Sequence, residues 1–298
     1  MKIIVCTTFR DFKGTDNDNI QLKFLENIKN QTYQDFLLVT TTFGEKNVKK
    51  VVDGLLGEKS IVIESNIPKE YKFSLTDVVL NGIRVANDLS DQSIIIWCTC
   101  DIIFDSNFFQ IIANNYAEGV SGIVHPNAIY TSLSDINNPH KATVEVKKGI
   151  DLLFFDSSVL SRAEGDIRNY RFYDWGVFEY FLTSIAMRYA KTRINLFCLT
   201  RLKKVVNDRK LTNESKAYFK RCLDMNIPIL KKYCSDKNIS DKIYRNGWLY
   251  DCHCQFKIIK GTPSYYWMKY EYAITRYLKK KLGPLKRKVF GVRAQTES

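Results

Sequence analysis

Thr99-Cys100-Asp101 is the segment in which residue type and spacing most directly suggest chemistry. It ends the apolar run Ile94-Ile95-Ile96-Trp97-Cys98, and Ile102-Ile103-Phe104-Asp105 follows before a turn into Ser106-Asn107-Phe108-Phe109. A buried strand that puts a carboxylate at its carboxyl end is where open α/β sheets place ligand sites. A core strand ending in a solvated Asp gives the same local pattern, so the segment alone leaves both readings open. A second carboxylate, Asp174, precedes Trp175-Gly176 and a helical face of Val177, Phe178, Phe181, Leu182 and Ile185. Asp is a favoured helix cap, so a capping role suits it as well as a place in an aromatic pocket. Cys252-His253-Cys254 holds metal-ligating types, but they stand too close together for a usual zinc site and no second Cys pair completes one. His125, His140 and His253 are the histidines, and there is no Gly-x-Ser-x-Gly elbow, no Gly-x-Gly-x-x-Gly and no Gly-x-x-x-x-Gly-Lys-Ser/Thr. Ser-His-Asp hydrolysis, a dinucleotide fold and a P-loop therefore lack motif support.

The elements that must position these carboxylates alternate between strand and helix periods. Strands are expected at 2–9, 36–42, 60–64 and 94–100, each rich in Ile, Val, Leu or Thr. Between them, 20–31 carries apolar residues at Ile20, Phe24, Leu25 and Ile28, and 45–56 carries Val48, Val51, Val52 and Leu55 before a Gly57 stop. A third helix is expected over 74–89, after a Ser/Thr-rich start, and a late strand over 194–199. Strands alternating with helices of this length predict an α/β fold, a mostly parallel sheet with helices on both faces. Residues 211–298 read differently: a helical outline from Leu211 to Tyr233 broken by Pro228, then an aromatic, Cys-bearing segment after Asn246-Gly247-Trp248. The expected organisation is a catalytic domain over 1–210 and a small helical, basic and aromatic region over 211–298.

Composition sets the setting. With 298 residues, 45% hydrophobic and 13% aromatic, the chain suits one sizeable domain with an appendage. Its eight Cys follow no regular framework and Met1-Lys2-Ile3-Ile4-Val5-Cys6 runs straight into a strand, so reduced thiols in a cytoplasmic protein are the expectation. No apolar run approaches the roughly 18 residues that a membrane span needs. The net charge of +13 is concentrated late, in Arg276, Lys279-Lys280-Lys281, Lys286-Arg287-Lys288 and Arg293, behind Tyr265, Tyr266, Trp267, Tyr270, Tyr272 and Tyr277. Aromatics beside such a cluster fit the surface of an anionic membrane at its inner face. A solvated tail and nucleic acid would use the same charges, but no nucleic-acid module accompanies them.

Several segments together resemble a known family. Asn27-Ile28-Lys29-Asn30-Gln31-Thr32-Tyr33 is similar to the "S-I-x-x-Q-T-Y" helix end of the GT-A glycosyltransferases of the broad family-2 type. Asn81-Gly82-Ile83-Arg84-Val85-Ala86 looks like the family's helix before the metal motif, Thr99-Cys100-Asp101 stands in the place of its Asp-x-Asp, and Phe172-Tyr173-Asp174-Trp175-Gly176 falls where its "Glu-Asp" pair carries the base. The resemblance covers roughly 1–210. It implies a nucleotide-sugar-dependent transferase that moves a hexose-type sugar to a glycan or lipid-linked acceptor with inversion, in polysaccharide or lipopolysaccharide biosynthesis. It also implies a divalent Mn²⁺ or Mg²⁺, for which carboxylate oxygens are suitable ligands.

The resemblance assigns roles to residues. Asp101 is the expected metal ligand, and Thr99 replaces the first acidic position, which implies a weaker metal requirement. Asp105 is a second candidate for the missing charge, but four residues further on it is read rather as a cap for a helix starting near Ser106. Asp174 is the expected base, with Glu179 one turn further as its backup. Thr7, Phe9 and Arg10 at the end of the first strand, with Lys72, Asn81, Thr99, Cys100 and Asp101, form the expected donor site, to which Glu45 is a further candidate. Asn207, after the late strand, is a candidate metal or phosphate ligand.

Two other classes share these features. A sugar nucleotidyltransferase also pairs a nucleotide-binding α/β domain with a metal-binding Asp, but normally has a Gly-rich loop after its first strand, where Phe9-Arg10-Asp11-Phe12-Lys13-Gly14 has one Gly. A non-catalytic module of the same fold, binding a membrane or partner, would explain the missing carboxylate.

Overall fold

The computed structural model describes residues 1–14, 16–89, 92–124, 127–131, 143–146, 152–174, 176–196, 199–200, 202–205, 212–239 and 256–259. The chain opens with β1 (Lys2–Thr7), α1 (Asp16–Lys29), β2 (Phe36–Thr42), α2 (Val48–Leu56), β3 (Ser60–Glu64), α3 (Leu75–Asn87) and β4 (Ser93–Cys98). It continues with β5 (Ile102–Phe104), α4 (Phe108–Asn114), β6 (Val120–Ile123), β7 (Asn127–Thr131), β8 (Thr143–Val146), β9 (Leu152–Asp156) and α5 (Ser157–Asn169). Then come α6 (Phe178–Tyr189), β10 (Thr192–Asn195), β11 (Leu202–Val205), α7 (Asn213–Asp236) and β12 (Lys257–Ile258).

Eight of these strands form one sheet in the order β12-β10-β6-β9-β4-β1-β2-β3. All neighbours are parallel except β9, which runs antiparallel to both β4 and β6. The architecture is the expected one: α/β, mostly parallel, with helices on both faces. The central strands β1, β2 and β4 read as near-continuous apolar or hydroxyl runs because both of their faces are covered. Alternation still assigns each residue a side. Ile95 and Trp97 of β4 pack with α3, α5 and α6, whereas Ile94, Ile96 and Cys98 pack with α1, α2 and α4.

Helix α3 presses closely on the sheet, and Gly82 makes that approach possible. A Cβ built at Gly82 would lie 2.2 Å from Cys6 Sγ on β1 and 3.3 Å from Ile95 Cγ2 on β4, and Cys6 is fully buried. Gly82→Ala is therefore expected to destabilise the fold by about 1–3 kcal/mol through overpacking, against a helix-propensity gain of about 1 kcal/mol. Gly54, exposed in α2 with nothing within 4 Å of its built Cβ, is the opposite case. Gly54→Ala is expected to stabilise by about 0.5–1 kcal/mol. Urea denaturation of both variants checks the opposite signs.

The structure departs from the sequence-based expectations at several boundaries. α2 begins at Val48 rather than Glu45, because Glu45 turns back so that its Oε2 accepts the Phe43 N–H at 2.6 Å. β10 ends at Asn195, short of the expected 199, and Leu199 N–H donates to the Leu196 carbonyl rather than to a neighbouring strand. Pro228 does not break α7; it sits on the exposed face, where water can serve the Asp224 carbonyl that it leaves unbonded. Leu230, Tyr233 and Cys234 of α7 are buried in the same cluster as Phe181 of α6, with the Tyr233 and Phe181 rings 4.8 Å apart. A second sheet, β5-β11-β7-β8, was not anticipated, because its strands of three to five residues are too short to show a period.

Candidate functional site

Parallel strands deliver their carboxyl ends to one edge, and β4 delivers Thr99-Cys100-Asp101 there. The Thr7 hydroxyl donates to the Cys98 carbonyl at 2.9 Å and pins the ends of β1 and β4 together. One residue on, the Thr99 hydroxyl donates to Asp101 Oδ1 at 2.5 Å. The Thr99 hydroxyl thus orients the Asp101 carboxylate. Cys100 turns the other way, toward Gln21 of α1, whose amide also accepts from Arg10 N–H (2.8 Å) and donates to the Arg10 carbonyl (3.2 Å). Gln21 therefore braces both strand-end loops against one helix.

The chain beyond Asp101 is equally fixed. Asn27 brackets Phe104, accepting its N–H at 2.8 Å and donating to its carbonyl at 2.9 Å. Gln31 donates to the Asp105 carbonyl and accepts from Phe109 N–H, and Tyr33 donates to the Met1 carbonyl. The helix-end motif that carried the family resemblance is thus a clamp on the segment after Asp101. Asp105 does not cap the next helix through its side chain: Asn107 stands at the cap position of α4, and Asp105 Oδ2 accepts from the Thr200 hydroxyl at 3.0 Å.

The other expected donor residues divide by exposure. Phe9 is buried in an aromatic cluster with Phe24 and Phe12, and the Asn81 amide donates to the hydroxyls of Thr41 (3.0 Å) and Ser65 (3.2 Å). Thr7, Phe9 and Asn81 therefore serve as scaffold within the protein. Arg10 keeps an exposed side chain, and Thr99, Cys100 and Asp101 are half-buried. Burial pushes the Cys6 and Cys98 thiols well above the ordinary range, so both behave as core groups.

Asp174 is more constrained than its sequence context suggests. It is 1% exposed and has φ of 54°, the left-handed region that only Gly, Asn and Asp adopt readily. Its Oδ1 accepts the backbone N–H groups of Lys72 (2.7 Å) and Phe73 (3.2 Å), and its own N–H donates to the Phe73 carbonyl at 2.9 Å. Leu75 N–H donates to the Phe172 carbonyl, Phe172 N–H to Thr76 Oγ1, and Asn226 of α7 to the Tyr173 carbonyl at 2.8 Å. These bonds zip 172–174 to the start of α3, where Ser74 caps the helix. The capping role for Asp174 is set aside, since Val177 stands at the cap position of α6. Glu179 lies in the first turn of that helix, half-buried.

A pocket of about 210 Å³ opens at Asp174, lined also by Glu70, Tyr71, Arg221 and Met225. The Tyr71 ring stacks on Tyr173 at 4.2 Å and 7°. Tyr218 of α7 adjoins Asp174; burial, and then the Asp174 charge, push its phenol well above the ordinary range, so it stays protonated at neutral pH. The sequence reading gave no role of their own to Tyr71, Tyr173, Tyr218 or Arg221, although it read the helical appendage that holds the last two as closing over the acceptor side or docking at the membrane. The alternation in Arg171-Phe172-Tyr173-Asp174 was the available signal. Both carboxylates belong to the same sheet edge: Trp97, two residues before Thr99, meets Phe178, four residues after Asp174, edge-on at 5.6 Å.

Among the described residues no three His, Cys, Asp or Glu gather as a metal cluster. The Thr99–Asp101 pair nevertheless fits a diphosphate-bound Mg²⁺ or Mn²⁺, which takes one or two carboxylates and fills its other positions with phosphate oxygens and water. Asn207, Trp175, the Cys252-His253-Cys254 segment and the basic C-terminal cluster lie outside the described residues.

No protein-family model and no curated protein sequence matches the chain. Among solved structures it is similar to S. aureus TarS 1–349 in complex with UDP-GlcNAc, at 10% identity and a TM-score of 0.47, covering 78% of this chain and 67% of that one. The chain spans 44% of the longer S. aureus TarS structure. It is also similar to a mycobacterial protein (13% identity, TM-score 0.49, 80% of this chain and 76% of that one). A third is the inositol-1-phosphate CTP transferase from T. maritima (10% identity, TM-score 0.39, 74% and 95%).

Proposed function

We propose that this chain is a glycosyltransferase that moves a sugar from a nucleoside-diphosphate donor to the hydroxyl of a glycan or lipid-linked acceptor. The observation that carries the reading is the pair of carboxylates on one sheet edge: Asp101, oriented by Thr99, and Asp174, held by two backbone amides in the wall of an aromatic pocket. In this reading the donor diphosphate lies over the end of β4, with Arg10 beside it. Thr99 and Asp101 would hold the divalent ion, and a bound Mg²⁺ or Mn²⁺ would neutralise the charge that develops on the leaving diphosphate.

The acceptor enters the Asp174 pocket. Asp174 takes the proton from the attacking hydroxyl as that oxygen bonds to the anomeric carbon and the bond to the diphosphate breaks, which inverts the configuration. The amides on Oδ1 hold the carboxylate in place and its second oxygen receives the proton. Glu179, a helical turn beyond, is the reserve base. Tyr71 and Tyr173 offer flat apolar faces of the kind that sugars stack on. The basic, aromatic segment from Tyr265 to Arg293 would hold the protein at an anionic inner membrane surface, within reach of lipid-linked acceptors. No helix among the described residues is long and apolar enough to cross a membrane.

Thermal shift with nucleotide sugars, with and without Mn²⁺, tests this reading. A ligand at about 100 times its Kd adds about 2.7 kcal/mol to native stability. At least one nucleoside-diphosphate sugar is expected to raise Tm, and Mn²⁺ to enlarge the rise. Thr99→Asp, which restores the second carboxylate, is expected to enlarge the Mn²⁺ increment further. Failure of every nucleotide sugar to shift Tm would remove the proposal.

A further inference from the structure

We infer that Lys72 and Arg221 form an oxyanion clamp at the mouth of the Asp174 pocket. The Lys72 ammonium lies 4.1 Å from the centre of the Tyr218 ring, and the Arg221 guanidinium lies 5.4 Å from the same centre. The two cations come from distant parts of the chain, the loop before α3 and the helix α7, and meet on one aromatic group. Arg171, which lies beside Tyr173, is engaged by Asp77. Neither Lys72 nor Arg221 forms an ion pair with a described residue, and both are exposed.

The ring attracts both cations, but two like charges held within 4.1 and 5.4 Å of one ring centre repel each other. A phosphate-type oxyanion between them turns that repulsion into two charge-assisted contacts, with the guanidinium supplying a fork and the ammonium a point charge. The pocket's carboxylates, Glu70 and Asp174, repel an anion from the interior, so the clamp takes it at the rim while a neutral hydroxyl reaches Asp174. The ligand class is a phosphate ester carried by the acceptor alcohol. Assigning it to a substrate rests on the proposed function; the binding of an oxyanion does not.

Calorimetric titration of the full chain with glycerol 3-phosphate, repeated in the presence of saturating UDP, tests the clamp. The wild-type chain is expected to bind glycerol 3-phosphate, more weakly as salt rises. Lys72→Gln with Arg221→Gln is expected to weaken that binding by about tenfold or more, since each lost charge-assisted bond is worth on the order of tenfold. Both side chains are exposed, so the melting temperature of the double variant reports that it is folded. Simultaneous binding of glycerol 3-phosphate and UDP is expected and assigns the clamp to the acceptor side; displacement by UDP overturns that assignment. No binding by the wild-type chain at millimolar concentration, or equal affinity in the double variant, overturns it. A chain that binds glycerol 3-phosphate through the clamp but no nucleotide sugar would retain the clamp and lose the proposed function.

Discussion

Asp174→Asn is expected to lower the rate of glycosyl transfer by about 10²–10⁴-fold, the usual contribution of a general base, with little change in stability. The reason lies in what the substitution keeps. Asn retains an acceptor oxygen for the Lys72 and Phe73 amides, and it tolerates the φ of 54° as well as any non-glycine residue does. What it loses is the ability to take a proton. Asp174→Ala removes the acceptor as well, leaving two amides without their partner at a buried position. Each such group costs about 1–3 kcal/mol, and a left-handed alanine adds roughly 1–2 kcal/mol. The pair of variants separates catalysis from architecture: Asn yields an inactive, folded protein and Ala an inactive, destabilised one. Thermal melts beside initial rates of transfer measure both. Full activity in a folded Asp174→Asn protein would make the residue a loop staple and nothing more.

The second large effect is expected at Asp101. Asp101→Asn preserves shape and still accepts the Thr99 hydroxyl, but it presents a neutral oxygen to the cation that the diphosphate carries. Loss of one preorganised electrostatic contact to the developing charge costs about 10²–10³-fold in rate. Thr99→Val, which frees Asp101 from its hydroxyl donor but leaves the charge, should cost less, on the order of tenfold, because orientation is lost and not ligation. Rates measured across a Mn²⁺ titration distinguish the two. The Asp101 variant should lose metal stimulation outright, and the Thr99 variant should keep it at higher metal concentration. Unaltered metal response in Asp101→Asn would place the diphosphate elsewhere.

Much of the frame was readable from residue types. Ile3–Cys6 and Ile94–Cys98 are apolar on both sides, and an unbroken apolar run of that length between helical periods is what a central parallel strand requires. Asp101 and Asp174 were readable as candidates because each stands where such a run or an amphipathic helix begins or ends. The purpose of other motif residues was not. Asn27 lies on a helix whose period shows only its buried face, and Gln31 lies two residues past its end; that their amides reach 77 and 74 residues along the chain, to Phe104 and Asp105, is a property of the packed fold. Gly82 likewise shows its necessity only once Cys6 lies beneath it. The appendage over 211–298 was read as closing over the acceptor side or docking at the membrane, but nothing local in Tyr218-Phe219-Lys220-Arg221 says which of its residues stand beside Asp174.

The central claim is that this sheet edge transfers a sugar from a nucleoside diphosphate, and the identity of the released product tests it most directly. Incubation with a panel of nucleoside-diphosphate sugars and Mn²⁺, with and without added pyrophosphate, followed by chromatographic analysis of nucleotides, is expected to show slow release of the nucleoside diphosphate, stimulated by metal and abolished by Asp101→Asn. Nucleotide triphosphate formed from pyrophosphate and the same donors would mean nucleotidyl transfer and contradict the account, as would intact donors throughout.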